Sequence, residues 1–402
     1  MMQSKRVMFV LPCMKGGGAE RVAALLANEF HKAGIKTSVV LTSSTPESVI
    51  RVDLDEAVPL KCLCDVPTKE NKFGFLGRRI AHICSATVCK CYEKLKKAVP
   101  ASWAYLSFWS QYGNEIKKLR SILRKDPELR VISFLQPSIP MTVLAARGLP
   151  NRIIISERGD PRRLMKKRYG YKFVEKFYSR ADRVVFQTFD AKNAYPECIS
   201  KKGVVISNPI KADLPLPYSG ERNKNITTFC RISAQKNLPV LFEAFWMLNR
   251  DHPEYKLRVI GDALNEEGVQ IEAQLKQFVR ERGLMNTVVF EPFMTNVHEA
   301  MISDAMYVNS SDYEGISNAM LEAMAIGLPV VCTDCPIGGA SATITDGENG
   351  LLVPVGDSKK LYQAMKRLVE NPVFAESLSK NATTLREELK LNRIAQEWLE
   401  LL

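Results

Sequence analysis

Short apolar runs rich in β-branched residues alternate with helix-like patterns along the whole of this sequence. In the first half the strand-like runs are 7–12, 37–42, 130–135, 152–156, 183–188 and 203–207. A helical pattern at 19–34, with Gly34 as its stop signal, follows the first of them. Short strands that alternate with helices form parallel sheets covered by helices on both faces. The first half therefore predicts a doubly wound α/β domain.

The same alternation begins again after Asn208-Pro209-Ile210 and a proline-rich stretch. Its strand-like runs are 225–233, 256–262, 287–293, 305–311 and 328–334, with helical patterns at 237–249 and 269–283. A chain of 402 residues is long enough for two cores. The sequence thus predicts two doubly wound Rossmann-like domains, 1–209 and 210–385, that face a cleft. A C-terminal helix at about 386–402 is expected to pack back on the first domain. Ligands are expected at the carboxyl ends of the strands.

Basic residues are concentrated in the first half of the chain. Residues 1–210 hold 37 Lys plus Arg against 18 Asp plus Glu, a net charge of +19. Residues 211–402 hold 19 against 26, or −7, and the sum is the +12 of the whole chain. Such asymmetry indicates that the first domain meets an anionic partner: phospholipid headgroups, a phosphorylated substrate or nucleic acid. The alternative is a basic surface that serves only solubility.

Segment 66–127 fits the α/β alternation least well. Basic and large apolar side chains are interleaved in it, as at Lys72, Phe73, Phe75, Leu76, Arg78 and Arg79. Such interleaving is typical of a helix pressed against anionic lipid, and the alternative is an ordinary helix packed on the sheet. No apolar run reaches 18 residues, so no transmembrane helix is expected.

The ten cysteines do not form a regular framework. Cys62 and Cys64, with Cys84, Cys89 and Cys91, have spacings that differ from the C-x2-C pairs of structural zinc sites. We therefore expect reduced thiols, a cytosolic protein and no zinc.

Three stretches carry residue types suited to a nucleotide. A glycine loop that includes Gly17 and Gly18 joins the first strand to a helix, and a helix N-terminus of this kind can receive phosphate. A tight strand-to-helix turn explains that loop equally well. Arg231 and Lys236 follow a strand of the second half, where two cations suit a diphosphate. Solvated surface charges are the alternative for this pair.

The third stretch, EGISNAMLE at 314–322, places an acid, a turn and a capping residue ahead of an apolar helix. Ser317 or Asn318 is the expected N-cap, and the free amides at the helix start suit a phosphate. Glu314 precedes those amides and can reach a sugar attached to the phosphate. Glu322 lies about one turn inside the helix, where a carboxylate can accept hydrogen bonds from the hydroxyls of a ribose. The alternative is that both glutamates are surface charges.

Taken together, these stretches resemble the motifs of retaining glycosyltransferases of family four, which have the GT-B fold of two Rossmann-like domains. The segment 314–331 resembles the family's E-x7-E motif, and Arg231 with Lys236 resembles its diphosphate-binding pair. The glycine loop and DGENGLLVP (346–354) resemble two further family segments, in the expected order. Cys230 is a departure, because a glycine commonly precedes the arginine.

The resemblance implies a role for each matching residue. Glu314 would contact the transferred sugar, Glu322 the ribose, and Arg231 and Lys236 the departing diphosphate. Phosphate would be held by the backbone of the segment Gly315, Ile316, Ser317 and Asn318. Gly17 and Gly18 would meet the donor when the cleft closes. The family is retaining and needs no metal or other cofactor, since the two cations and the helix terminus stabilise the leaving group.

The acceptor side is expected in the first domain. Glu157 and Arg158 follow a strand at the position where relatives approach the acceptor, and we interpret Arg158 as a phosphate binder. The leading hypothesis is transfer of a hexose-type sugar from a UDP-sugar to a polyprenyl-diphosphate-linked saccharide. Such an enzyme would lie on the inner face of the cell membrane. The alternatives are a soluble acceptor, a nucleotide-sugar hydrolase or epimerase of the same fold, and a nucleic-acid-binding protein, for which no known motif is present.

Overall fold

The chain forms two compact units in a computed structural model that describes residues 5–51, 53–64, 101–160, 162 and 170–402. The first unit comprises Met1–Pro209 with Leu391–Leu402, and the second comprises Ile210–Lys390. Each unit is a three-layer α/β domain, with a parallel sheet between helices. The α/β class and the two Rossmann-like domains expected from the sequence are therefore confirmed.

The sheet of the first domain is parallel throughout its described residues, in the order β3-β2-β1-β4-β5-β6-β7. Its strands are β1 (Arg6–Leu11), β2 (Lys36–Leu41), β3 (Leu60–Cys62), β4 (Arg130–Phe134), β5 (Ile153–Ser156), β6 (Arg183–Phe186) and β7 (Gly203–Val205). Strand order reverses between β1 and β4, which is the topological switch point of a doubly wound fold. The carboxyl ends at this point are those of Leu11 and Phe134.

The helices of the first domain cover both faces of this sheet. They are α1 (Gly18–Lys32), α2 (Ala101–Lys125), α3 (Ser138–Ala146), α4 (Gly170–Tyr178), α5 (Phe189–Asn193) and α6 (Glu197–Ser200). The core between α1 and the sheet is aromatic, because the Phe9 ring centroid lies 5.6 Å from that of Phe30 and 6.3 Å from that of Phe134. All three rings are fully buried.

The second domain repeats the arrangement with a parallel sheet in the order β10-β9-β8-β11-β12-β13. Its strands are β8 (Asn225–Phe229), β9 (Lys256–Ile260), β10 (Val288–Glu291), β11 (Met306–Asn309), β12 (Val330–Thr333) and β13 (Leu351–Val353). Its helices are α7 (Leu238–Asp251), α8 (Glu266–Glu281), α9 (Val297–Met301), α10 (Asn318–Ala325), α11 (Ser358–Glu370), α12 (Pro372–Ala382) and α13 (Leu385–Glu388). Strand order reverses between β8 and β11, so the segments after these two strands meet at one place.

The C-terminal helix α14 (Leu391–Leu399) belongs to the first domain, and it is shorter than the expected helix over 386–402. Arg386 remains with the second domain because its guanidinium donates to the carbonyl oxygens of Leu214 and Pro215, at 2.6 and 2.7 Å. In α14, the indole of Trp398 is fully buried and stacks on Phe134 with centroids 5.7 Å apart. The last residues of the chain thereby complete the core of the first domain.

Glycine stop signals and most strands fall where the sequence places them. Gly34 and Gly283 follow α1 and α8 with φ of +79° and +69°, a backbone conformation that favours glycine. Two edge strands of three residues, β3 and β13, were not expected from the sequence. In segment 66–127 the described part is the helix α2, and Lys72, Phe73, Phe75, Leu76, Arg78 and Arg79 lie outside the described residues. None of the described helices is long and apolar enough to cross a membrane.

Candidate functional site

The segments after β8 and β11 lie side by side at the switch point of the second sheet. These two strands pair in parallel, with Met306 opposite Ile226. Arg231 and Lys236 follow β8, and Glu314 follows β11. The sheet order thus brings Glu314 to the segment of Arg231 and Lys236, which precede it in the sequence by 83 and 78 positions.

Glu314 and Lys236 form an ion pair in this place. The ammonium nitrogen of Lys236 lies 2.5 Å from Oε1 of Glu314, and the two side chains are 15% and 14% exposed. Burial alone would lower the pKa of Lys236, but the carboxylate of Glu314 more than offsets it, so the pKa is raised above its usual value. Lys236 therefore carries its positive charge at any physiological pH.

Two further side chains hold the Glu314 carboxylate. Gln235 donates from Nε2 to Oε2 of Glu314 at 3.1 Å and to the carbonyl oxygen of Tyr313 at 2.9 Å. The hydroxyl of Ser311 lies 2.9 Å from Oε1. The sequence interpretation missed Gln235 and Ser311, although each is close in sequence to a residue that it singled out. Together with Lys236 they fix the position of this carboxylate.

Arg231 is exposed at the carboxyl end of β8, beside a close approach of two loops. Gly261 has φ of +135°, and a Cβ there would lie 2.0 Å from the carbonyl oxygen of Cys230. Only glycine therefore fits opposite Cys230. With Cys230 before it, Arg231 is still exposed, so its guanidinium is accessible to an anion.

The helix α10 starts as expected, with Ser317 as its N-cap. The Ser317 hydroxyl accepts from the backbone amide of Met320 at 3.4 Å, and both Ile316 and Ser317 are buried. The backbone of Gly339 packs directly against the turn before the cap. A side chain at position 339 would not fit, because its Cβ would lie 1.8 Å from the carbonyl oxygen of Gly315. The segment from Gly315 to Asn318 is thus packed against a second loop, and Asn318 is its first helical residue.

Glu322, the second acid of the motif, is almost fully buried and pairs with a histidine. Its Oε2 lies 2.8 Å from Nε2 of His298, and the Glu322 side chain is 2% exposed. His298 lies on α9 and was not expected to take part in the site. The surface-charge interpretation of Glu322 is therefore wrong, since a surface carboxylate would be solvated.

The glycine loop of the first domain differs from the expected phosphate cradle. The backbone amides of Lys15 and Gly17 donate to Oε2 of Glu20, at 2.5 and 3.1 Å. The Glu20 carboxylate thus already accepts hydrogen bonds from two backbone amides at the start of α1. A phosphate at these amides would meet a like charge, so the geometry favours the alternative of a tight strand-to-helix turn. The neighbouring Gly18 is the first residue of the helix.

Glu157, at the carboxyl end of β5, is held by four hydrogen bonds. Its Oε2 accepts from the hydroxyls of Tyr178 and Tyr195, at 2.7 and 2.9 Å. Its Oε1 accepts from the amides of Arg158 and Gly159, at 2.8 and 3.1 Å. Burial, and next the charge of Glu157, raise the pKa values of both tyrosines well above the usual value. Glu157 is therefore a structural anchor of this loop.

Arg158 is half-buried, and its guanidinium lies among aromatic rings and beside the side-chain amide of Asn208. Its guanidinium carbon lies 4.9 Å from the ring centroid of Phe134 and 5.9 Å from that of Trp398, and Nη1 donates to Oδ1 of Asn208. Burial lowers the pKa of Arg158 to about 9, and the Glu157 charge opposes this only in part. Its buried Nε and Nη2 have no hydrogen-bond partner among the described residues. A desolvated cation whose Nε and Nη2 have no partner among the described residues is suited to an anion.

A metal centre has no support within the part of the chain that the structure describes, because no three His, Cys, Asp or Glu side chains there are grouped to hold an ion. The cysteines Cys84, Cys89 and Cys91 lie outside those residues.

Comparison with known proteins agrees with the geometry of the second domain. Residues 219–385 match the family described as "Glycosyl transferases group 1". An uncharacterized glycosyltransferase of Haemophilus influenzae is 24% identical over 222 residues, which are 55% of this chain and 61% of that protein. The N-acetylgalactosamine-N,N'-diacetylbacillosaminyl-diphospho-undecaprenol 4-alpha-N-acetylgalactosaminyltransferase of Campylobacter jejuni is 29% identical over 181 residues, 45% of this chain and 47% of that protein. The chain thus spans about half to three fifths of the length of these relatives.

Solved structures extend the similarity of fold to the whole chain. HepE of Anabaena, crystallised with UDP and glucose, superimposes with a TM-score of 0.75 at 18% sequence identity, and the match covers 99% of both chains. At that identity the likeness concerns the fold. The chain therefore has the GT-B fold, and its second domain matches the group 1 glycosyl transferases.

Proposed function

We propose that this protein is a retaining glycosyltransferase that moves a hexose-type sugar from a UDP-sugar to a lipid-linked saccharide. The observation that carries the proposal is the ion pair of Glu314 with Lys236 at the switch point of the second sheet, beside the exposed Arg231. This pair lies within the segment that matches the glycosyl transferase family. The UDP and glucose named for HepE support the choice of donor.

The proposed roles follow from charge and position. Arg231 and Lys236 would neutralise the diphosphate as it leaves, and the amides before α10 would hold its phosphate oxygens. Glu314 would contact the transferred sugar, and Glu322 the ribose. Two cations and a helix N-terminus are enough to stabilise a leaving diphosphate, so we propose that the reaction needs no metal or cofactor.

Arg158 supports an acceptor that carries phosphate. Its guanidinium is desolvated by Phe134 and Trp398, and its Nε and Nη2 have no hydrogen-bond partner among the described residues. A phosphate would supply the missing hydrogen bonds and the missing charge. The Campylobacter relative is named for an acceptor with a diphospho-undecaprenol group, which fits the same chemistry. We propose a polyprenyl-diphosphate-linked saccharide as the acceptor class.

The proposed location follows from the acceptor. A lipid-linked acceptor places the enzyme on the inner face of the cell membrane, and the charge of +19 in residues 1–210 suits an anionic lipid surface. We therefore propose a cytoplasmic protein that binds the membrane peripherally.

The test combines donor screening with product analysis. Thermal shift with a panel of nucleotides and nucleotide-sugars should single out UDP and one UDP-sugar. That donor is then incubated with and without a synthetic polyprenyl-diphosphate saccharide, and the anomeric configuration of the product is read by proton NMR. We expect a new glycoside only with acceptor, in the same anomeric configuration as the donor.

Each alternative gives a different product. A hydrolase would release free sugar without acceptor, and an epimerase would convert the UDP-sugar into another. Transfer to the saccharide without its lipid diphosphate, at an equal rate, would indicate a soluble acceptor. An inverted anomer would contradict the retaining mechanism.

A further inference from the structure

We propose that His298 is a positioning residue that holds the carboxylate of Glu322 in place for the ribose of the nucleotide. The proposal rests on the proposed function, because it takes Glu322 as the ribose-binding group. It adds a residue that lies 24 positions before Glu322 and that none of the recognised motifs contains. The direct observation is the contact of His298 Nε2 with Glu322 Oε2 at 2.8 Å.

The chemistry of the two groups fixes the direction of this hydrogen bond. An ionised carboxylate can only accept, so Nε2 of His298 must carry the hydrogen. Both side chains are buried, at 8% and 2% exposure. A buried carboxylate that loses a hydrogen-bond donor can turn away from its place, and a displaced carboxylate would be a poorer acceptor of ribose hydroxyls. His298 therefore favours one fixed position of the Glu322 carboxylate.

The helix that carries His298 is itself fixed to the core. Val297 and Met301 on either side of the histidine are fully buried. Arg258 of β9 donates from Nη1 to the carbonyl oxygen of Ala300 at 2.9 Å and to Oδ2 of the fully buried Asp304 at the same distance. The imidazole thus reaches Glu322 from a rigid support, as a positioning group requires.

A second histidine of the same domain provides a matched control. His252 Nε2 lies 3.4 Å from Oε1 of Glu370, but that pair is at the surface, with the Glu370 side chain 51% exposed. Replacing His252 removes a histidine–glutamate contact without touching the α9–α10 pair. Replacement of His252 should leave nucleotide binding unchanged, because the solvated carboxylate of Glu370 needs no fixed hydrogen-bond donor.

The experiment measures binding of UDP, 2′-deoxy-UDP and 3′-deoxy-UDP by calorimetry to the wild type and to H298L, H298Q and H252L. In the wild type, loss of the hydroxyl bound by Glu322 should weaken binding about 10-fold or more. H298L should bind UDP about 10- to 100-fold more weakly and should discriminate against the deoxy form by less than about threefold. H298Q offers an amide N–H of similar reach and should recover most of the affinity and of the discrimination.

The outcomes separate the positioning role from a purely structural one. If H298L weakens UDP and both deoxy forms by the same factor, the histidine only supports the fold and the inference is wrong. The same conclusion follows if H298L leaves every affinity unchanged. If the wild type binds UDP without regard to either ribose hydroxyl, Glu322 has another role, and the inference fails while the glycosyltransferase proposal stands. Absence of any nucleotide binding by the wild type would overturn the proposed function itself.

Discussion

Lys236 Nζ lies 2.5 Å from Glu314 Oε1, so the two charges balance each other in the free protein. In the proposed site the ammonium of Lys236 would bind a diphosphate, and the carboxylate of Glu314 would contact a sugar. The pair is 15% and 14% exposed, unlike the Lys276–Glu272 pair of α8, which has the same length but side chains 49% and 27% exposed. A diphosphate at Lys236 would compete with Glu314 for the ammonium. Binding of the donor and release of the acid toward the sugar would therefore be coupled.

Glu314→Gln should lose about 100-fold or more of the transfer rate, while binding of UDP is retained or strengthened, because its diphosphate no longer competes with a carboxylate for Lys236. The carboxylate contacts the sugar in the proposed site, and UDP without a sugar does not need it. The measurements are steady-state transfer with the identified UDP-sugar and calorimetry with UDP.

The matched control is Glu272→Gln, which breaks the exposed helix pair with Lys276 and should leave both quantities unchanged. If Glu314→Gln instead binds UDP much more weakly but transfers sugar from the bound donor at the wild-type rate, Glu314 belongs to the nucleotide site.

Chelation of divalent metal should leave turnover unchanged. The leaving diphosphate is balanced by Arg231 and Lys236 in the proposed site, so their joint replacement by alanine should abolish transfer, as metal removal does in metal-dependent enzymes. Lys276→Ala removes an exposed cation of the same domain and serves as control. Loss of activity in chelator that magnesium restores would contradict the proposal.

Arg158→Met should stabilise the protein by about 1 to 3 kcal/mol and abolish use of a phosphate-containing acceptor. An apolar side chain of similar length keeps the contacts with Phe134 and Trp398, and it removes a charge that burial disfavours. Urea unfolding and transfer assays measure the two effects. Donor binding should not change.

The neighbouring Glu157→Gln should act in the opposite direction on stability. Its carboxylate accepts hydrogen bonds from two tyrosine hydroxyls and two backbone amides. The glutamine side chain has an NH2 group in place of one oxygen, so at least one of these donors would lose its acceptor. We expect the free energy of unfolding to fall by about 2 kcal/mol.

For the Arg158→Met variant, a stability lower than that of the wild type would show that the guanidinium is a structural group.

The basic first half should bind anionic vesicles reversibly. Each basic residue near such a surface contributes roughly 1 kcal/mol, and salt screens the attraction within a Debye length. Sedimentation with vesicles should show binding that rises with the fraction of anionic lipid and falls with salt. Joint replacement of Lys72, Arg78 and Arg79 by glutamate should reduce it strongly.

Replacement of Lys359, Lys360 and Lys380 by glutamate makes the same charge change on the second domain, where all three are exposed, and should have little effect. Equal binding to neutral vesicles, or no binding to anionic ones, would contradict the peripheral location and favour a soluble acceptor.

The α/β class, the repetition of the fold and the start of a helix at Ser317 or Asn318 could be predicted from the sequence alone. These features depend on neighbours along the chain: apolar periodicity, glycine after a helix, and a hydroxyl two or three residues before an amide. The same local signals left two interpretations of the glycine loop open, a phosphate-binding turn and a tight strand-to-helix turn. They could not show that the side chain of Glu20, three residues after Gly17, turns back and accepts hydrogen bonds from the backbone amides of Lys15 and Gly17.

Tertiary structure decided which side chains meet. Gln235 reaches Glu314 because β8 lies beside β11, His298 reaches Glu322 because α9 packs near α10, and Trp398 covers Arg158 because the last helix returns to the first sheet. These contacts join residues 24 to 240 positions apart. Local patterns do not encode such partners, since strand order and helix packing are set by burial of the whole core, and only then do individual polar groups acquire their neighbours.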